Sequence, residues 1–119
     1  MPALQKEEIA NLEKMIYLPM LLTVLERDRL TIEQGNFKLK KPYLAIVEGA
    51  AQKVHRDLGN TAAYLKMHRM SVVRGKMDDI FTEYTFLHDS TEDRRRYLNV
   101  RLRNRTEELL TRYLRQPDI

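Results

Sequence analysis

The sequence predicts a mainly α-helical fold: two long antiparallel helices, the first kinked at Pro19, then a small β-hairpin and a C-terminal helix packing back. Three observations predict it. Apolar residues step at three and four positions through Gln5–Leu30 and again through Tyr43–Leu65, the spacing of one helix face. Between Met70 and His88 that period gives way to β-branched and aromatic residues. From Ser90 a hydroxyl followed by acids precedes a leucine stripe, the pattern of a helix start.

In the first helix Ile9, Leu12, Ile16 and Met20 share a face. Pro19 lies inside that pattern. It lacks a backbone donor and crowds the preceding turn, so a break or kink is expected near Tyr17-Leu18. Beyond it Leu21, Leu22, Val24 and Leu25 are apolar on several sides, which predicts burial on more than one face. Gly35 suits a C-cap, and Phe37-Lys38-Leu39-Lys40-Lys41-Pro42 is the connector, with Pro42 placed to open the next helix. Tyr43, Ile46 or Val47, Ala50, Val54, Leu58, Ala62 and Leu65 form the cleanest stripe and mark a central helix.

The hairpin is read from Met70–Arg74 and Asp79–His88, turning at Gly75-Lys76. A short helix using Ile80, Tyr84 and Leu87 stays open as an alternative for the second stretch. The last helix is expected from Ser90, carrying Leu98, Leu102, Leu109 and Tyr113 on one stripe and ending at Gln116-Pro117. Asn104 and Thr106 leave open its division in two. The chain of 119 residues makes one domain, 1–119, with no internal repeat and no linker.

Composition narrows the chemistry. With no cysteine there is no disulfide, no thiol nucleophile and no cysteine-built zinc site. No apolar run approaches the roughly 20 residues that cross a bilayer, so no membrane partner is expected. Met1–Glu8 lacks the basic and apolar stretches of a signal peptide, and the expected location is cytoplasmic.

The histidines His55, His68 and His88 lack metal-ligand spacing, and no H-E-x-x-H or E-x-x-H occurs. Asp78 and Asp79 are adjacent, and adjacent strand residues point to opposite faces. The four glycines are isolated, so no phosphate-cradling loop is formed, and Ser71 and Ser90 lack a nucleophile elbow. No catalytic residue, metal site or cofactor is therefore assigned.

The sharpest feature is a run of six arginines: Arg94, Arg95, Arg96, Arg101, Arg103 and Arg105. Guanidinium forks suit phosphate, and Tyr97 among them offers a ring for a base to stack on. Lys38, Lys40 and Lys41 form a second basic group. The net charge of +4 is a mild field, and Glu92, Asp93, Glu107 and Glu108 are near enough in sequence to pair with the arginines.

Two stretches, Phe37-Lys-Leu-Lys-Lys-Pro-Tyr43 and Tyr97-Leu-Asn-Val-Arg-Leu-Arg-Asn-Arg-Thr-Glu-Glu-Leu-Leu-Thr-Arg-Tyr113, resemble a group of small uncharacterised proteins from Bacillus-type bacteria. The resemblance implies a bacterial, cytoplasmic protein and carries over no activity. The expected function is a non-enzymatic protein–protein interaction module. A hairpin exposed at its edge is a seam for pairing, so a homo-oligomer is expected together with an unidentified protein partner. The alternative is a nucleic-acid-binding protein that uses the six arginines.

Overall fold

The computed structural model describes residues 3–115, in which three helices and a three-stranded sheet covered on one face follow in the order α1 (Lys6–Gln34), α2 (Lys40–Met67), β1 (Met70–Met77), β2 (Phe81–His88), β3 (Thr91–Leu98) and α3 (Asn99–Arg115). The fold is thus mixed α/β rather than mainly α with a two-stranded hairpin. The segment that overturns the expectation is Thr91–Leu98. Ser90-Thr91-Glu92-Asp93 imitates a helix start, but Asp89-Ser90 is the turn of a hairpin, with His88 paired to Thr91 and Asp89 left-handed at φ 55°. Aspartate tolerates that conformation better than most residues. The residues from Thr91 on alternate half-buried and exposed, the two-residue period of a strand with one covered face. The last helix accordingly starts at Asn99 rather than Ser90. Its expected end at Gln116-Pro117 lies outside the described residues.

The three strands are antiparallel in the order β1-β2-β3. The first turn falls at Asp78–Ile80, later than the expected Gly75-Lys76, because Asp78 builds it. One carboxylate oxygen accepts the Ile80 and Phe81 backbone N–H groups at 2.8 and 2.7 Å. Those bonds hold the Asp78 carboxyl below its usual range. Asn99 locks the same corner. Its side chain donates to the Asp78 carbonyl at 2.8 Å and accepts from the Thr82 hydroxyl at 2.7 Å, and its backbone N–H donates to the Ile80 carbonyl.

Helix α1 runs unbroken through Pro19. The proline is exposed and removes the donor to the Met15 carbonyl without ending the helix, and both residues line a groove. Helices α1 and α2 lie side by side and divide the core in two. The N-terminal half of α1 packs Leu12 and Ile16 on Phe86 and Tyr84 of the sheet, closed by Leu65 of α2 and Leu102 of α3. The other half packs Leu18, Leu21 and Leu25 on Val47, Ala50 and Val54 of α2, with Tyr113 of α3. The α1–α2 turn therefore stands at the end of the helical pair away from the sheet. The outline is a slab of 58 × 36 × 18 Å.

Candidate functional site

The arginine run straddles the strand-to-helix boundary, and that boundary scatters it. Arg94 and Arg96 project from the outer face of β3, opposite Thr85 and Glu83. Arg96 lies over the Phe81 ring at 4.1 Å. Arg95 turns inward, where it binds Asp93 at 2.9 Å and caps the fully buried Phe86 ring at 5.0 Å. On α3, Arg105 lines a cleft against α1 and pairs with Glu108 at 2.9 Å, while Arg103 lines a groove on the helix's other flank. Arg101 is exposed on the same helix. The six side chains thus do not share one face, and Glu83 and Glu92 stand on the outer sheet face beside Arg94 and Arg96.

The histidines are equally dispersed. His68 stacks on Tyr64 at 4.0 Å, His88 lies 3.8 Å from both Glu8 and Asp89, and His55 is exposed. Among the described residues no three metal-ligating side chains gather. Asp78 serves the turn and Asp79 is exposed.

Sequence reasoning missed two tyrosine–carboxylate clasps, since their partners are far apart in the chain. The Tyr97 hydroxyl donates to Glu13 at 2.9 Å, tying β3 to α1, and the Tyr113 hydroxyl donates to Asp57 at 2.5 Å, tying α3 to α2. Burial first, then the hydrogen bond to a carboxylate, pushes both phenols well above their ordinary value. Tyr17 is raised as well, by burial and by the charge of Glu13. The cleft of about 300 Å³ between α1 and α3 contains Glu13, Tyr17, Asp57 and Tyr113, so both of its carboxylates are engaged by phenols.

A different surface is open. Two adjoining hollows, of about 600 and 930 Å³, share Met20, Thr23 and Arg74 and make one groove along α1. Met15, Val72, Met77 and Leu110 give it an apolar floor, and β1 forms one wall. Strand β1 is an edge of the sheet, so its backbone groups on the side away from β2 are unpaired by the sheet.

The family model described as YhjD protein matches residues 3–118. The chain belongs to this family. It is 36% identical over 118 residues to the Uncharacterized protein YhjD of Bacillus subtilis (strain 168), an alignment that covers 99% of this chain and 98% of that one. The resemblance to Bacillus-type proteins read from the two stretches is therefore correct, and it extends over almost the whole chain. No solved structure matches. Among the described residues no helix is long and apolar enough to cross a membrane.

Proposed function

We propose that this YhjD-family chain is an interaction module that works as a homodimer, joined along the free edge of β1. The observation that carries the proposal is surface area. The chain exposes 8829 Å², whereas a compact monomer of 14.2 kDa exposes about 6,800 Å². The radius of gyration, 16.4 Å, likewise exceeds the roughly 13.5 Å of a compact chain of this length. The excess, about 2,000 Å² per chain, is on the order of what an obligate homodimer hides.

The β1 edge admits an antiparallel self-paired ladder in which no like charges face. A β1 strand paired about Val72 sets Arg74 opposite Met70 and Ser71 opposite Val73, with no like charges facing. The inward side chains of such an added strand, Met70 and Val72 among them, enter the groove that β1 walls. A further protein partner and a cytoplasmic location belong to the same proposal.

The test is solution mass. Light scattering behind size exclusion should give twice 14.2 kDa for the wild type. The exposed pair Ser71→Lys/Val73→Lys sets lysines against each other across the seam and should run at the single mass with an unchanged circular dichroism spectrum. A wild type at the single mass, or a double variant that still dimerises, overturns the β1 seam.

A further inference from the structure

The α1–α2 turn breaks local rules of helix building. Leu39 occupies the N-cap position of α2, where an oxygen-bearing side chain is favoured, and no side chain caps the helix. Lys40 and Lys41 open the helix, whose first turn holds no acid, so they oppose its dipole. Leu39 is 72% exposed, and Phe37, Tyr43, Ile46 and Leu30 are exposed around it. Leu39, Lys40 and Lys41 are thus three consecutive residues set against helix stability, as expected of residues kept for another task.

The stretch is ordered rather than loose. The Phe37 ring lies 5.6 Å from the Tyr43 ring and folds over Gly35, where an added Cβ would meet it at 2.8 Å. Lys40 Nζ donates to the Glu33 carbonyl at 2.8 Å, closing the turn. The nearest acid, Glu33, is engaged by Arg29 at 2.6 Å. Residues 34–43 hold Lys38, Lys40 and Lys41 and no acid, so this tip carries +3 of the chain's net +4.

Apolar side chains alternating with lysines at a protruding end suit a bilayer surface bearing anionic headgroups, which takes up both together. We propose that the α1–α2 tip is a peripheral contact for anionic lipid: Phe37, Leu39 and Tyr43 enter the headgroup–acyl boundary, while Lys38 and Lys41 meet lipid phosphates. This departs from the expectation of no membrane partner, which rested on spanning length; lying on a surface needs no spanning run. The tip is remote from β1, so the proposal stands apart from the dimer.

Co-sedimentation of the full chain with vesicles tests it, using equal parts phosphatidylglycerol and phosphatidylcholine against phosphatidylcholine alone. The wild type should bind the anionic vesicles at low salt, release as salt rises, and bind neutral vesicles at least tenfold more weakly. Each lysine near such a surface is worth about fivefold in partitioning, so Lys38→Gln/Lys41→Gln should weaken binding about twenty-five-fold. Leu39→Glu should weaken it at least tenfold. All three positions are exposed, and the variants should keep the wild-type circular dichroism spectrum. No binding by the wild type at low salt, or variants that partition as it does, overturns the lipid contact and leaves the tip to a protein surface.

Discussion

The two ends of the α1–α2 pair are built on opposite terms. At the sheet end Leu12, Ile16, Tyr84 and Phe86 are buried, and polar clasps span elements far apart in sequence. At the turn end the large apolar side chains face outward, and the clasps link near neighbours such as Lys40 and Glu33. Stability is therefore held where chain segments from the whole sequence meet, and the turn is left able to spend its apolar surface on something outside the chain. Substitutions that cost much at one end should cost little at the other.

The largest effect is expected at the centre of the sheet core. Phe86→Ala empties a site with no exposed surface and removes the ring under Arg95, and should lower the unfolding free energy by about 3–5 kcal/mol in a urea titration. Tyr113→Phe comes next. It leaves the half-buried Asp57 carboxylate without its donor, for a loss of about 1–2 kcal/mol at neutral pH. The folded Tyr113 phenol titrates above its ordinary 10.0. Its contribution is thus complete below that pH and is lost as pH rises through the folded value. A melting series from neutral to alkaline pH should show a shallower alkaline loss in Tyr113→Phe than in the wild type. The Asp78 turn behaves in the opposite sense. Its carboxyl is held low by two backbone donors, so its contribution is present above the usual carboxylate range and is lost as acid titrates it.

At the turn end, Gly35→Ala meets the Thr31 carbonyl at 2.8 Å as well as the Phe37 ring, and should cost about 1 kcal/mol by moving the loop. Leu39→Ala should be the smallest change, within about 0.5 kcal/mol by thermal melting. A large loss there would show that the turn is part of the core and erase the contrast.

The contrast also explains what was legible. Periodicity exposes a helix whenever one face is buried along its whole length, and the stripe through Val47, Ala50, Val54 and Leu65 in α2 is such a case. Strand β3 escapes sequence reading because its inward face is Thr91, Asp93, Arg95 and Tyr97, polar residues whose burial depends on Arg95 pairing with Asp93 over the Phe86 ring of β2 and on Tyr97 reaching Glu13 of α1, contacts that no apolar alternation announces. The arginine run was visible as composition, yet its dispersal follows from the strand-to-helix switch at Asn99, which flips alternate residues before it and rotates residues after it by 100° each. The connector lysines were visible too. Their meaning depended on Leu39 standing at an uncapped, exposed helix start, which only the structure supplies.

Strand β3 ends at Leu98 and α3 begins at the next residue, with no loop between them and Asn99 bonded to the turn at Asp78 and to Thr82. One inserted residue at this joint would swing the buried stripe of Leu102, Thr106 and Tyr113 by about 100° out of the core. The joint therefore works as a ruler: the count of residues from Asn99 to Tyr113 sets which face of α3 meets the core.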